Sequence, residues 1–285
     1  MSHRTWQFED LLAADCDAAD SYFDPSEFET RRELEDTHYW HVHRRALILQ
    51  FLRRACRDPR RKLVELGCGV GTVATYLNAH GYDVDYADVH AEGLRAAYAR
   101  ACAQLGAGVE RHRFVRLDLT RQLPPHPYAG VLLLDVLEHL PDDAAVMRNL
   151  HRYLRSSAPD AFLFLTVPAF PFLWSPWDDL ERHKRRYTAS SLRRLATATG
   201  YAIEHLTYFF LPLFFAALGV KALRRLRQVV QPGARQSPGI SAMAEARNHP
   251  ALNRIVLGAL APERLWLRDA RCPLGTSLVC VARPA

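Results

Sequence analysis

Three glycines, Gly67, Gly69 and Gly71, occupy alternate positions directly after the short apolar run 62–66. That spacing lets a backbone turn sharply between a strand and a helix, and lets a ligand approach without interference from Cβ atoms. The N–H groups that open the following helix favour an anionic group. Asp88 closes the next strand-like stretch, at a distance from the glycines where a carboxylate can accept ribose hydroxyls. Asp118 closes a third stretch. Asp135, followed by Val136, Leu137, Glu138 and His139, closes a fourth. The dinucleotide fingerprint G-x-G-x-x-G is not met, because its sixth position here is Thr72; this argues against a nicotinamide or flavin ligand.

These residues must be placed by alternating strands and helices. Strands are predicted at 62–66, 83–89, 113–118, 130–136 and 161–167, with helices at 71–80, 91–105 and 142–155. That order implies right-handed crossovers and a parallel sheet. The run 130–136 is almost wholly apolar, as in a strand covered on both faces. All four signals, the glycine loop and the three acidic ones, then fall at carboxyl ends of strands, where open α/β sheets bind ligands. Two late strands, 202–208 and 277–283, flank a helical or irregular stretch with a loop at 231–239. The stretch 1–60 reads as helices, a polar one at 28–36 and an amphipathic one at 39–56 that Pro59 ends. The expected domains are a helical extension or lid (1–60), a ligand-binding core (61–208 with 271–285) and an inserted helical cap or membrane-facing unit (209–270).

Composition sets limits. The chain has 285 residues, 49% hydrophobic and 24% charged. Those proportions exclude collagen-like, disordered and coiled-coil classes. Net charge is +6, compatible with an anionic ligand, membrane surface or nucleic acid. Six scattered cysteines (Cys16, Cys56, Cys68, Cys102, Cys272, Cys280) contain no C-x-x-C pair, which suggests a reducing, cytoplasmic setting. No run reaches the ~20 apolar residues of a membrane span.

The strings ELGCGVG (65–71), YADVHAEGL (86–94), LDL (117–119) and LLLDVLEHLPD (132–142), in that order, resemble class I S-adenosylmethionine-dependent methyltransferases. The likeness is to the small-molecule subgroup typified by ubiquinone and menaquinone methyltransferases. It covers about residues 38–208, and 277–285 matches the closing strand. It implies a doubly wound, mostly parallel, seven-stranded Rossmann-like sheet and S-adenosyl-L-methionine as cofactor. On that resemblance Glu65, Gly67, Cys68, Gly69 and Gly71 border the amino-acid part of the cofactor, and Asp88 with Val89 holds the ribose. Asp118 and Leu119 lie at the adenine, while Asp135, Val136 and Leu137 pass beneath the sulfonium. Arg44, with Arg45 as the second choice, meets the cofactor carboxylate. Cys68 is read as packing. The Asn-Pro-Pro-Tyr signature of nucleobase amino methylation is absent; Pro124-Pro125-His126-Pro127-Tyr128 precedes the fourth strand instead of following it.

Methyl transfer is an in-line displacement, and a hydroxyl acceptor benefits from a base. Histidine suits neutral pH. His139, just past the fourth strand, and His183, in the loop after the fifth, are the candidates; Tyr187 of the same loop completes the catalytic set. His38, His41 and His43 do not share one helix face, so no metal is expected there. The stretch 206–220 is densely apolar and is followed by Lys221, Arg224, Arg225 and Arg227. Each buried large apolar side chain gains about 1.5–3 kcal/mol, and each basic residue near an anionic bilayer about 1 kcal/mol. Two roles are open for it: peripheral membrane attachment, or closure over a substrate pocket. The expected activity is methylation of a small-molecule or lipid-linked acceptor, at a hydroxyl oxygen. The alternatives are an RNA methyltransferase, disfavoured by dispersed basic residues and no RNA-binding appendage, and a non-catalytic binding protein of the same fold.

Overall fold

The computed structural model describes residues 7–12, 34–230 and 249–285, without the side chains of 226–230. Cys16, residues 28–33 of the polar helix and the loop at 231–239 lie outside the described residues. Eight strands form one sheet: β1 (Phe8–Asp10), β2 (Lys62–Leu66), β3 (Asp83–Asp88), β4 (Phe114–Arg116), β5 (Gly130–Leu134), β6 (Phe162–Pro168), β7 (Tyr201–Phe209) and β8 (Ser277–Pro284). Their spatial order is β1-β4-β3-β2-β5-β6-β8-β7. The pairs from β1 to β6 are parallel, and β8 runs antiparallel between β6 and β7.

The helices are α1 (Tyr39–Ala55), α2 (Thr72–Ala79), α3 (Ala91–Leu105), α4 (Asp143–Ser157), α5 (Pro176–Leu180), α6 (Ala189–Ala198), α7 (Leu211–Val230) and α8 (Pro250–Trp266). Their ends follow local chemistry. Asp142 caps α4 by accepting from Ala145 N at 2.8 Å, which satisfies one of the open N–H groups of the first turn. Thr188 and Ser191 form a reciprocal capping box that opens α6. Helix α1 packs Leu47, Ile48, Phe51 and Leu52 into the core. Strands β5 and β6 are buried along their whole length, the reason their sequences are unbroken apolar runs.

Two expectations need correction. The sheet has eight strands, not seven, and the stretch 1–60 is not all helical. Residues Phe8–Asp10 add an edge strand, paired Phe8 to Phe114 and Asp10 to Arg116. So short a strand with a single apolar side chain carries no alternation to read; the neighbour β4 supplies the pairing.

Gly130 sits where three strands meet. A Cβ there would overlap the Phe162 ring on β6 and lie 2.9 Å from Leu63 Cδ2 on β2. Gly130→Ala should therefore overpack the sheet centre and cost about 1–3 kcal/mol. A lower urea midpoint at unchanged slope is expected; an unchanged midpoint would refute this packing.

Candidate active site

The strand order reverses between β2 and β5, which makes a crevice at their carboxyl ends. The glycine loop lines it. Gly67 N and Cys68 N both donate to Ala87 O, at 2.8 and 3.0 Å, and tie the loop to β3. All three glycines have positive φ: 77°, 53° and 72°. A Cβ on Gly67 would lie 2.5 Å from Val136 Cγ2, and one on Gly71 2.6 Å from Ala97 Cβ. At Gly69 it would meet nothing within 4 Å. Gly67 and Gly71 thus allow close packing, whereas Gly69 faces open space. Cys68 is buried, and burial pushes its thiol well above the ordinary value, so it is an inert packing group.

Asp88 ends β3 beside this opening. Its Oδ2 accepts from Gly69 N at 2.8 Å, and its Oδ1 accepts from His90 N and meets His90 Nδ1, both at 2.9 Å. Burial pushes its pKa up, but His90 and the Gly69 N–H outweigh burial and leave it lowered. An ionised carboxylate has about four lone-pair sites, so Asp88 keeps acceptor capacity on Oδ2. Val89 directs its carbonyl to Arg116 Nε at 3.1 Å. Asp118 instead caps its own turn, accepting from Thr120 N and Oγ1 at 2.9 and 2.7 Å, with the buried Leu119 beside it.

Arg44 crosses from α1 into the crevice and is 7% exposed. Its Nη2 lies 2.7 Å from Asp135 Oδ2 and donates to Thr166 Oγ1 at 3.2 Å. Asp135 Oδ2 has no directional hydrogen bond, so the short Arg44 contact acts as an ion pair; the buried Arg44 Nε has no partner. Glu65, at the end of β2, accepts from Ala74 N at 2.7 Å. Arg45 turns away, with its guanidinium over Tyr76. Val136 is half-buried and Leu137 fully buried beneath the loop.

The residues expected on the acceptor side follow β5 and β6. The His139 and His183 rings stand edge to face with centroids 4.8 Å apart. His183 Nδ1 lies 2.8 Å from Asp178 Oδ1. A carboxylate only accepts, so Nδ1 carries the hydrogen and Nε2 the free lone pair. Asp178 is fully buried and is itself held by Arg186 through Nε (2.7 Å) and Nη2 (3.0 Å), and by Ser175 N and Oγ. Burial would raise Asp178, but His183 and Arg186 hold it well below the carboxylate range. The Tyr187 hydroxyl is committed elsewhere: it is buried and bonded to Asp143 at 2.7 Å, pinning the loop to α4. Burial first, and then Asp143, push it far up, so the structure does not bring it to the histidines as a proton carrier. Glu138 is fully buried with neither oxygen hydrogen-bonded; burial and then the Asp135 charge push its pKa well above the ordinary value. Glu138, His139 and His183 each offer a ligand atom within 4.8 Å of the others. Such a set could hold a divalent cation where the sequence suggested no metal. His38 and His43 have local duties, capping α1 and pairing Glu263.

A family model described as "Methyltransferase domain" matches residues 39–206. The chain belongs to this methyltransferase family. It is 24% identical over 158 residues to the ubiquinone biosynthesis O-methyltransferase of Aeromonas salmonicida, covering 52% of this chain and 65% of that one. It therefore spans less than two thirds of that relative's length. Two solved structures share the fold. The magnesium protoporphyrin IX methyltransferase of Synechocystis, with bound S-adenosylhomocysteine, has a TM-score of 0.53 at 20% identity, over 67% of this chain and 92% of that one. The Haemonchus contortus phosphoethanolamine N-methyltransferase 2, in complex with S-adenosyl-L-methionine, has a TM-score of 0.50 at 16% identity, over 82% and 51%.

Some residues of this methyltransferase site escape motif reading. Arg100 is 2% exposed; its Nε donates to Val70 O at 3.0 Å and it pairs with Asp36, bracing the glycine loop from behind. Its signal was a charge on the apolar face of a helix, in register with Leu94, Ala97 and Ala101. Asp178 was visible only as the end of a Ser-x-x-Asp capping pattern at 175–178.

Burial pushes Glu65 up to about 8, against Arg44 and the Ala74 N–H, from its ordinary 4.5. A carboxyl raised on folding holds its proton more tightly folded than unfolded. Stability is therefore lost as pH rises from about 4.5 through about 8. Thermal melts of the ligand-free protein should fall across that window, and Glu65→Gln should flatten part of the slope. An identical slope in the variant would remove Glu65 as the cause.

Proposed function

We propose that this chain transfers a methyl group from S-adenosyl-L-methionine to a hydroxyl oxygen of a small-molecule or lipid-linked acceptor. The observation that carries the reading is His183, oriented by the buried Asp178 and facing His139 at the carboxyl edge of the sheet. The crevice fits the cofactor in kind. An open glycine position lies beside Asp88 for a ribose, and the unpartnered Arg44 Nε suits a carboxylate. Glu65 and Asp135 suit an ammonium. Bound S-adenosylmethionine supplies a methyl already activated on a cationic sulfur. The protein's own tasks are then alignment, which can supply about 7–11 kcal/mol, and removal of the acceptor's proton.

His183 Nε2 is the atom placed to take that proton. Asp178 fixes its tautomer and stabilises the imidazolium that forms, much as the carboxylate does in a catalytic triad. His139 shapes the opposite wall. The apolar acceptor class is supported by aromatic walls: Phe170 stacks on Tyr208 at 4.8 Å and contacts Phe214 at 5.5 Å. The O-methyltransferase relative points the same way. Arg44, Arg100 and Arg186 are tied up in ion pairs with aspartates and offer no basic surface to RNA.

Two measurements test this. Asp88→Ala should weaken S-adenosylmethionine binding about 100-fold by calorimetry, the scale of a charge-assisted hydrogen bond to a ribose hydroxyl; unchanged affinity would defeat the ribose assignment. In a tritiated-methyl assay on fractionated lysate, label should enter small-molecule or lipid fractions. His183→Ala should lower that rate about 10²–10⁴-fold with cofactor affinity kept. Label in RNA, or a fully active variant, overturns the reading.

A further inference from the structure

Helix α8 exposes an apolar stripe beside its buried one. Its inward stripe, Asn253, Val256, Leu260, Glu263 and Leu267, contains two polar residues, and both have jobs. Asn253 Oδ1 accepts from Tyr39 N at 3.4 Å. Glu263 pairs with His43 Nε2 at 2.9 Å and accepts from Leu211 N at 2.6 Å. The parallel stripe one residue earlier, Leu252, Ile255, Ala259, Pro262 and Trp266, is wholly apolar and wholly exposed. Ile255 is 69% exposed and Trp266 45%. A helix at a water-facing surface shows the opposite pattern. Helix α7 repeats the anomaly: Phe215 is 57% and Leu223 58% exposed. Phe172, in the acceptor loop, is 54% exposed and extends the same aromatic group through Phe214. Large exposed apolar surface on a folded chain marks a docking site.

Charge selects the occupant. Helix α7 contains Lys221, Arg224 and Arg225 and no acid; α8 contains Arg254 and Arg264, and its one acid, Glu263, is buried and paired. A two-fold contact with a second copy would set this basic face against itself. No described helix is long and apolar enough to cross a membrane. We propose that the exposed faces of α7 and α8, with Phe172, dock on the surface of an anionic lipid bilayer. Aliphatic and aromatic side chains enter the headgroup boundary while Arg heads meet lipid phosphates; the Lys221 ammonium is bonded to Trp174 O at 2.8 Å. The docked helices adjoin the crevice. Phe210 stacks on Trp40 at 5.6 Å, and Trp40 lies against the Arg44 guanidinium at 5.1 Å.

The proposal extends the reading of an apolar, lipid-linked acceptor. Its test involves no turnover, so the two fail separately. The purified full-length protein is floated with vesicles of phosphatidylcholine alone, or of phosphatidylcholine with phosphatidylglycerol. Flotation is expected with the anionic vesicles, and about tenfold less with zwitterionic vesicles or in high salt. The double substitution Ile255→Asp, Trp266→Asp should cut anionic-vesicle binding about tenfold or more, with an unchanged melting temperature showing that the fold is intact. Protein that stays at the bottom of the gradient with all vesicles overturns the proposal. So does light scattering that shows a dimer in the wild type and a monomer in the double variant, which would assign the face to self-association.

Discussion

One buried guanidinium holds the crevice together. Glu65, Asp88, Asp135 and Glu138 converge on the carboxyl ends of β2, β3 and β5; Arg44 brings a permanent positive charge that acts on Glu65, Asp135 and Glu138 alike, and Arg186 adds a weaker pull on Glu138. Without it, four carboxyls in a poorly hydrated cleft would repel one another and resist ionisation. With it, Asp135 is paired, while Glu65 and Glu138 stay displaced upward because burial outweighs one shared cation. The site is short of positive charge. A ligand with net positive charge repairs that shortage, and the electrostatics that makes this set of carboxyls costly makes the cofactor proposed here, a sulfonium with an ammonium and one carboxylate, a good fit.

The fold was largely legible because its determinants are local. Strands β5 and β6 are short apolar runs, β2 and β3 are short stretches bounded by turn chemistry, and the bounds of α3, Ala91–Leu105, follow from periodicity. Strand β1 was not legible because its identity comes from a partner, β4, that is remote in sequence. The insertion was misleading in a more useful way. Helix α8 buries Asn253 and Glu263, and both helices expose large apolar side chains, so a reading that takes apolar to mean interior would misplace part of their faces.

The glycine loop, Asp88 and Asp135 could be expected at one edge because loops after parallel strands bring their first residues there. The support behind them could not. Arg100, Thr166 and Asp178 act through other groups: on a carbonyl, on an arginine and on a histidine. No spacing rule links Asp178 to His183 or Arg186, since the contact depends on how α5 folds back beneath the loop. Tyr187 shows the converse. It lies next to the right residues in sequence, yet its hydroxyl is used by Asp143.

Backbone strain marks the same edge. Among the described residues, four that are not glycine hold positive φ: Asp135 (59°), Phe170 (58°), Arg182 (55°) and Phe210 (64°). Three of them stand where β5, β6 and β7 end, and the fourth is next to His183. Each such conformation costs on the order of 1–3 kcal/mol, and glycine would relieve it. What glycine would lose is the side chain: Asp135 on Arg44, Phe170 on Tyr208, Phe210 on Trp40. The surrounding bonds bear the strain, with Asp135 N held by Thr166 O at 3.0 Å and Phe170 N by Tyr187 O at 2.7 Å. At the exits of β5, β6 and β7 the chain accepts a costly turn and keeps a charged or stacking side chain at the mouth of the crevice. Strained turns and retained side chains together delimit the working edge of the molecule more sharply than any single motif.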